Sequence, residues 1–202
     1  MPDREHRHHH GRHGAKQPER FNPARAALLD DPARFEYLPV AEIIALLDPP
    51  THGVVIDFGA GTGAYAIPLA QSRGDLTVIA LDEQPEMLAL LIAKPAASQL
   101  RNLKPTPTDD LASLRSVADR VLALNVLHEL GDDALKGLKD LLKPAGFAAF
   151  IDWNAEVERP IGPPRDHVYS ERDAAMRLEQ FGLACELRPA LRYHYVIVAR
   201  PL

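Results

Sequence analysis

The residues best suited to chemistry lie in one acidic, glycine-rich stretch, Asp57-Phe58-Gly59-Ala60-Gly61-Thr62-Gly63. The apolar, β-branched residues before it are typical of a buried parallel strand that ends at Asp57, and the periodicity of residues 65–70 predicts a helix after it. Glycines permit positive φ angles and a close backbone approach, while a helix start offers free N–H groups. We therefore expect a nucleotide or nucleoside to bind this turn.

Two classes of ligand fit the spacing of the glycines. Gly59, Gly61 and Ala64 satisfy the pattern of dinucleotide-binding folds, in which a pyrophosphate lies at the helix N-terminus. The same stretch also has the order Asp-x-Gly-x-Gly-x-Gly of class I S-adenosylmethionine-dependent methyltransferases. A tight turn that binds no ligand is the third interpretation. The turn by itself leaves all three open.

A second acidic position follows the next apolar run. Residues 76–81 predict another buried strand, and Asp82 ends it 25 residues after Asp57. A carboxylate at this position binds ribose hydroxyls in both ligand classes. Gln84-Pro85 then begins a helix whose apolar side is predicted to carry Met87, Leu88, Leu90, Leu91 and Ile92. Met87 either touches the adenine or packs in the core.

The third strand is predicted at a sheet edge. Residues 102–111 contain two prolines, which cannot donate hydrogen bonds to a neighbouring strand. Asp109 follows this strand and could accept a hydrogen bond from an adenine amino group. Alternatively, Asp109 or Asp110 caps a helix that begins near Leu111.

A further group of polar residues ends the apolar stretch 118–130. Asn125, His128 and Glu129 lie where a buried fourth strand is predicted to stop. Ligands of open α/β sheets bind at that edge, in the crevice beyond the carboxyl ends of the strands. We expect these three side chains to line the crevice.

Taken in chain order, these motifs and Leu142-Lys143-Pro144-Ala145-Gly146 resemble those of class I methyltransferases. The similarity is greatest to small bacterial methyltransferase-domain proteins allied to the ubiquinone/menaquinone-biosynthesis type. It implies an α/β fold, a Rossmann-like three-layer sandwich with a seven-stranded, mostly parallel sheet whose last strand is antiparallel. The single domain would span residues 21–202, with residues 21–50 forming N-terminal helices that cover the cofactor site.

The resemblance implies S-adenosyl-L-methionine as cofactor and methyl transfer to an oxygen, nitrogen or carbon atom of a small molecule. The methionine portion would lie on Asp57 and the glycine turn, the ribose on Asp82, the adenine edge on Asp109, and Asn125 near the amino-acid part. The residues predicted to bind the cofactor are Asp57, Gly59, Ala60, Gly61, Thr62, Gly63, Asp82, Glu83, Met87, Asp109, Asp110 and Asn125.

Two residues are candidates for catalysis, His128 and Asp152. Methyl transfer requires mainly alignment and exclusion of water, but a weakly acidic nucleophile also needs a base, and histidine titrates near neutral pH. The alternative for His128 is a buried histidine bonded to Glu129 or to backbone. Asn125-Val126-Leu127-His128 differs from the Asn/Asp-Pro-Pro-Tyr/Phe element of many nitrogen methyltransferases, which disfavours nucleobase and protein-glutamine acceptors.

The predicted substrate pocket lies at the end of a fifth strand over 147–152, beneath the proline- and glycine-rich loop 159–165. The alternatives are a packed Trp153 and a salt-bridged Asp152. The pocket residues are predicted to be His128, Glu129, Trp153, His167 and Tyr193, with Glu156, Tyr169 and His194 as further candidates.

Capping signals predict the surrounding elements. Asn22-Pro23 and Asp31-Pro32 predict helices near 23–30 and 32–38, and Pro39 leads a third that ends at Pro49-Pro50. Ser170 with Asp173 predicts a helix that Gly182 ends. Two terminal strands are expected to be joined across Pro189.

Composition narrows the function further. The chain has 202 residues and a formal net charge of −5, which disfavours nucleic acid as a partner. We expect a cytoplasmic protein without a membrane segment or signal region, and the single Cys185 permits no internal disulfide and argues against arsenite methylation. The alternative functions are an NAD(P)-dependent oxidoreductase and a non-catalytic cofactor- or metal-binding protein. The oligomeric state is not predicted.

Residues 1–20 hold five of the nine histidines and show no hydrophobic periodicity, so we expect a disordered tail. Three interpretations are open: a solvated tail, a weak transition-metal-binding tail, and the remnant of an expression tag. No metal site is predicted elsewhere.

Overall fold

Seven strands form one sheet in the computed structural model of the protein, which describes residues 20–202. In spatial order the sheet is β3-β2-β1-β4-β5-β7-β6, and β7 is antiparallel to both of its neighbours while the other pairs are parallel. This confirms the predicted fold class. The strands are β1 (Val54–Phe58), β2 (Thr77–Asp82), β3 (Leu103–Pro107), β4 (Ala118–Leu124), β5 (Leu142–Trp153), β6 (Leu183–Leu191) and β7 (His194–Pro201).

Helices cover both faces of the sheet. The α-helices are α1 (Arg34–Tyr37), α2 (Val40–Leu47), α3 (Ala66–Ser72), α4 (Pro85–Ile92), α5 (Pro95–Ser98), α6 (Asp132–Leu141) and α7 (Glu171–Gln180). Within residues 20–202, 3-10 helices span Pro23–Asp30, Thr108–Leu114, Leu127–Glu129 and Arg165–His167. None of the helices within residues 20–202 is long and apolar enough to cross a membrane.

The hydrophobic core has two layers because side chains of a strand alternate between its faces. On β1, Val55 packs into the layer that contains α2 and α3, whereas Ile56 packs into the layer that contains α6 and α7. Both side chains are fully buried. The central strands are thus enclosed on both faces, and ligands can approach them from their ends.

The capping signals position the first and last helices. Asn22 Oδ1 accepts a hydrogen bond from Ala24 N, and Asp31 Oδ1 accepts one from Ala33 N. The first of these elements is a 3-10 helix. Ser170 Oγ accepts from Asp173 N at 3.0 Å, and Gly182 follows α7 with a φ of 72°.

Three local predictions were wrong. Pro189 lies within edge strand β6, beside a register shift between Arg188 and Leu191, and residues 192–193 make the connection to β7. An edge strand tolerates proline because its outer N–H groups have no partner strand. Leu90 and Ile92 of α4 are exposed. Neither Asp109 nor Asp110 caps a helix, because the 3-10 helix already begins at Thr108 and has no side-chain cap.

The predictions for the histidine-rich tail concern residues 1–19 almost entirely, and these lie outside the described residues. Arg20 is the first described residue. Its guanidinium pairs with the Glu83 carboxylate at 2.8 Å, and both side chains are exposed.

Candidate cofactor and acceptor site

The glycine turn crosses from β1 to α3 in a backbone conformation that favours glycine. Gly59, Gly61 and Gly63 have φ angles of 74°, 55° and 78°. The N–H groups of Gly59 and Ala60 donate to Leu81 O at 2.8 and 3.0 Å, which ties the turn to the end of β2. A Cβ added at Gly59 would lie 2.5 Å from a methyl carbon of Val126, so the turn also packs against the end of β4.

Asp82 organises the crevice between β1 and β2. Its carboxylate accepts hydrogen bonds from Gly61 N at 2.7 Å and from Gln84 N at 2.9 Å. Burial raises the pKa of this carboxyl, and the two N–H donors oppose that rise. The result is a buried acid at the glycine turn that is already oriented by backbone groups.

Asp57, at the end of β1, is the second buried acid of this region. Its side chain is 4% exposed, and burial raises its pKa to about 7. The positive charge of Arg34 opposes this rise, and the negative charge of Asp82 adds to it. A cationic group placed here would stabilise the charged form of Asp57, because it would offset the desolvation.

Arg34 is a buried cation near Asp57 that the sequence reasoning missed. Its side chain is buried and lies over the Tyr65 ring with 5.3 Å between guanidinium carbon and ring centroid. One nitrogen donates to Leu29 O at 3.0 Å, and no carboxylate of residues 20–202 lies within 4 Å of it. Its spacing in the sequence could have indicated its burial. Arg34 lies four positions before Leu38, so the two residues share a helix face, and Leu38 is fully buried.

Residues 20–38, here called the N-terminal segment, lie across the crevice. The backbone N–H of Phe21 donates to Glu129 Oε2 at 3.2 Å, and Phe21 O accepts from Gln84 Nε2 at 3.1 Å. The segment therefore bridges the ends of β2 and β4.

A second attachment ties the same segment to the glycine turn. Asp30 accepts hydrogen bonds from Thr62 Oγ1 at 2.9 Å and from Lys94 Nζ at 2.7 Å. Lys94 also donates to Thr62 O. Together with the Phe21 contacts, these bonds hold the segment over the carboxyl edge of the sheet.

Asn125 follows β4 in a left-handed conformation with a φ of 57°. Its N–H donates to Ile151 O at 2.8 Å, but its buried Oδ1 has no hydrogen-bond partner within the described part of the chain. A buried amide oxygen without a donor is costly, so a ligand N–H or O–H at this point would be stabilised.

The acceptor side of the crevice contains a histidine–carboxylate pair. His128 Nδ1 lies 2.8 Å from Asp152 Oδ1, and the His128 backbone N–H donates to Asp152 Oδ2 at 3.1 Å. Asp152 is fully buried, and it also accepts from Trp153 N at 2.7 Å. The carboxylate therefore fixes the imidazole orientation, which leaves Nε2 on the other side of the ring.

Charges around His128 set its protonation. Burial alone would lower the pKa of His128, but Asp152 and then Glu129 outweigh that effect and raise it. Glu129 Oε1 lies 3.5 Å from His128 Nε2, and burial raises the pKa of Glu129. The pair can accept a proton and stabilise the resulting imidazolium.

Four rings pack together beside this pair. Trp153 and His194 lie 4.1 Å apart between centroids, and Tyr37 of α1 stacks on His194 at 5.9 Å and packs on Tyr193 at 5.6 Å. His194 is fully buried, neither ring nitrogen has a partner in residues 20–202, and burial lowers its pKa to about 3. It is therefore neutral at physiological pH.

The other predicted site residues occupy different surroundings. Met87 is buried in α4, whereas Glu83, Asp109 and Asp110 are exposed, the last two just beyond β3. His167 and Glu156 are exposed on the acceptor side, and the Tyr169 hydroxyl pairs with Arg177. The structure thus brings the glycine turn, Asp57, Asp82 and Asn125 together, and separately His128, Glu129, Asp152 and Trp153.

Comparison with known proteins gives the family. A family model described as a methyltransferase domain matches residues 56–148. A solved structure of a SAM-dependent methyltransferase from Aquifex aeolicus superimposes with a TM-score of 0.83 and 28% identity, over 91% of this chain and 100% of the other. The methyltransferase-domain match and this structural likeness support a class I S-adenosylmethionine-dependent methyltransferase. The resemblance noted in the sequence is confirmed.

Two curated relatives match this chain over part of their length. Trans-aconitate 2-methyltransferase of Deinococcus radiodurans is 33% identical over 113 residues, which are 55% of this chain and 42% of the relative. A tRNA(Phe) (4-demethylwyosine(37)-C(7)) aminocarboxypropyltransferase of Methanocaldococcus jannaschii is 31% identical over 126 residues, 59% and 48% respectively. The chain spans about half the length of these curated relatives.

S-adenosylmethionine is the cofactor of this family, and the residues of the crevice fit it. The cofactor carries a sulfonium and an ammonium group, and the crevice has two buried carboxyls, Asp57 and Asp82. It also has an amide oxygen without a donor, on Asn125, and a glycine turn that admits a close approach.

Proposed function

We propose that this methyltransferase transfers a methyl group to an ionisable O–H or N–H group of a small molecule, with His128 as general base. The observation that carries this proposal is the contact between His128 Nδ1 and the buried Asp152 carboxylate. Such a pair is needed when the nucleophile must lose a proton, and it is superfluous when the nucleophile is already ionised.

In the cofactor half of the site, different side chains would bind different groups of the cofactor. Asp82 would accept from the ribose hydroxyls, Asp57 would pair with the cationic amino group, and Arg34 would bind the carboxylate of the methionine portion. Asn125 Oδ1 would accept from the same portion, and Asp109 from the adenine amino group. The bound sulfonium supplies an activated methyl group, so the protein needs mainly to align the acceptor with it and to exclude water from the site.

His128 would remove the acceptor proton through Nε2. In neutral imidazole one nitrogen is protonated, and the Asp152 carboxylate stabilises the proton on Nδ1, which leaves Nε2 as the acceptor. Once His128 is protonated, Asp152 and Glu129 stabilise its charge. Asp152 is fully buried, and His128 and Glu129 are partly buried, which limits the access of water to the proton.

A small acceptor is favoured over RNA by charge. The formal net charge of −5 gives no general attraction to a phosphate backbone. One curated relative is named for a small carboxylic acid and the other for a tRNA, so the acceptor class needs a direct test.

The test is methyl transfer from labelled S-adenosylmethionine to a metabolite extract and, separately, to total RNA, followed by mass identification of the product. We expect label in a small molecule that gains one methyl group, and much less label with His128→Asn. His52→Asn is the matched control, because His52 is exposed and has a φ of 57°, which asparagine tolerates. Label confined to RNA would contradict the small-molecule acceptor.

The two alternative functions make different predictions for the same protein. An oxidoreductase would bind NADH or NADPH with an affinity that depends on Asp82, and calorimetry would detect it. A non-catalytic protein would bind S-adenosylhomocysteine and transfer no label to either fraction. Either result would overturn the proposed activity.

A further inference from the structure

Beside the aromatic rings, residues 159–165 of the loop 154–165 line an open cavity that has two arginines in its wall. The cavity has a volume of about 310 Å³ and is lined by residues 159–165, which include Arg159, Gly162 and Arg165. Three prolines restrict this stretch, so little conformational entropy remains to be lost when a ligand binds. Gly162 has a φ of 91° and lies against the Trp153 ring, where an added Cβ would be 3.0 Å from the indole.

Neither guanidinium group forms an ion pair within the described residues. Arg159 donates to Asn154 O at 3.4 Å and to Pro163 O at 2.6 Å, and Arg165 Nε donates to Ala155 O at 2.7 Å. No carboxylate of residues 20–202 lies within 4 Å of either arginine, and Glu156 and Glu158 of the same loop are exposed. Within the described residues both guanidinium groups hydrogen-bond only to neutral carbonyl oxygens, and the Asp152 carboxylate raises the pKa of Arg159 from a longer distance.

Arg159 is the more constrained of the two. Its Nε is buried and has no hydrogen-bond partner in the described part of the chain. Burial and the nearby positive charge of Arg165 both lower the pKa of Arg159. A bound anion would satisfy the free donor and offset the repulsion, and guanidinium groups bind carboxylate and phosphate through paired hydrogen bonds.

Arg159 in the wall of this cavity lies close to the residues that orient the proposed base. The Arg159 guanidinium lies 5.3 Å from the Trp153 ring centroid, and the Trp153 N–H donates to Asp152, the partner of His128. The charge of Arg159 also lowers the pKa values of His128 and His194. A molecule anchored at Arg159 would therefore extend along Trp153 toward the histidine.

We propose that residues 159–165 form an anion-binding subsite, and that the methyl acceptor is a small organic acid whose carboxylate or phosphate binds Arg159 and Arg165 while its ionisable group faces His128. This inference rests on the proposed function for the reacting end of the acceptor. The anion site itself can be tested without turnover.

Trp153 is the single tryptophan of the sequence, so its fluorescence reports on this loop. The full chain is titrated at constant ionic strength with tricarballylate, its uncharged triamide, and inorganic phosphate. We expect a saturable fluorescence change with tricarballylate or phosphate and none with the triamide. The two anions distinguish a carboxylate from a phosphate as the preferred group.

Arg159→Gln should weaken anion binding at least tenfold, and Arg159→Lys, which keeps the charge but loses the planar fork, should weaken it less. Arg172→Gln on α7 is the control, because it removes one exposed positive charge away from the loop. Equal responses to the triamide, equal affinities for Arg159→Gln and Arg172→Gln, or a response to tRNA but to neither small anion would overturn the inference.

S-adenosylhomocysteine binding separates this inference from the proposed function. Arg159→Gln should bind it as the wild type does, which also shows that the variant is folded. If the cofactor product binds and neither anion does, the anion subsite fails and the methyltransferase proposal stands. If anions bind and S-adenosylhomocysteine does not, the proposed function fails.

Discussion

The two halves of the crevice are built differently. In the cofactor half, at the ends of β1 and β2, the Asp82 carboxylate accepts from two backbone N–H groups and the turn bonds back to Leu81. In the acceptor half, at the ends of β4, β5 and β7, side chains contact side chains from distant segments, as His128 contacts Asp152 and Tyr37 contacts His194. Local backbone bonds thus fix one half, and long-range packing fixes the other.

The halves also differ in their buried polar groups that lack hydrogen-bond partners. Described residues of the acceptor half include three side chains with buried polar atoms that lack partners: the ring nitrogens of His194, Nε of Arg159 and the hydroxyl of Tyr195. Asn125, at the boundary, is a fourth. Because unpaired buried polar atoms are costly, they mark positions where a ligand would contribute most. The comparison implies that cofactor binding and acceptor chemistry can be disrupted separately.

The largest expected effect is a loss of turnover confined to the acceptor half. His128→Asn should reduce the rate of methyl transfer by about 10²–10⁴-fold, because it removes the base. The affinity for S-adenosylhomocysteine, measured by calorimetry, should not change. A variant that lost both properties together would show that the two halves are not separable.

A stability gain in the cofactor half is the next largest effect. The folded-state pKa of Asp57, about 7, lies above the unfolded value, so folding stability falls as the pH rises between the two. Asp57→Asn removes this penalty and should raise the free energy of unfolding of the ligand-free protein at pH 8 by up to about 4 kcal/mol. The gain should be smaller at pH 5.

Urea unfolding at both pH values measures this effect, with exposed Asp133→Asn as the control. The same Asp57→Asn variant should bind S-adenosylmethionine more weakly, because the proposed partner of its amino group is lost. Destabilisation at pH 8 would contradict the account of Asp57.

Cofactor affinity should depend strongly on Asp82. Asp82→Ala removes the acceptor of the Gly61 and Gln84 N–H groups together with the proposed ribose contacts, so S-adenosylhomocysteine should bind about 100-fold more weakly. Asp75→Ala, at the opposite end of β2, is the matched control for calorimetry. Undiminished binding by Asp82→Ala would remove the basis for placing the ribose there.

Gly59 links the two halves, since it packs against Val126 at the end of β4. Gly59→Ala would combine a positive φ with a Cβ only 2.5 Å from a Val126 methyl carbon, so we expect a loss of about 2–4 kcal/mol in unfolding free energy. Gly74→Ala, where no atom lies within 4 Å of the added Cβ, should stay within about 0.5 kcal/mol of the wild type in urea unfolding. Similar stabilities for both variants would contradict the packing argument.

The smallest expected effect is a shift in the pH dependence of the methyl-transfer rate. Asp152 raises the pKa of His128, so the wild-type rate should increase with pH through a midpoint above about 6.5. In Asp152→Asn burial would dominate, so the midpoint should move to lower pH while the maximal rate falls. If Asp152→Asn left the midpoint of the pH–rate profile unchanged, His128 would be excluded as the titrating base.

The contrast between local backbone bonds in one half and long-range packing in the other explains how much of the structure the sequence could predict. The glycine turn, Asp82 and the strand ends follow from local spacing, and the fold followed from the order of such motifs. The contact between His128 and Asp152 spans 24 residues, and Arg34 reaches the crevice through packing of α1, so no local pattern encodes either geometry. Pro189 was misplaced because a proline is typical of a turn, whereas an edge strand also accepts it.

The central claim is that an adenosyl cofactor binds the β1–β2 side of the crevice and presents its reacting end to His128. A crystal structure of the protein with S-adenosylhomocysteine tests it most directly. The account predicts both ribose hydroxyls within hydrogen-bond distance of Asp82, and the sulfur on the side that faces His128 and Trp153. A ligand bound elsewhere, with Asp82 still bonded to Gly61 and far from the sugar, would contradict it.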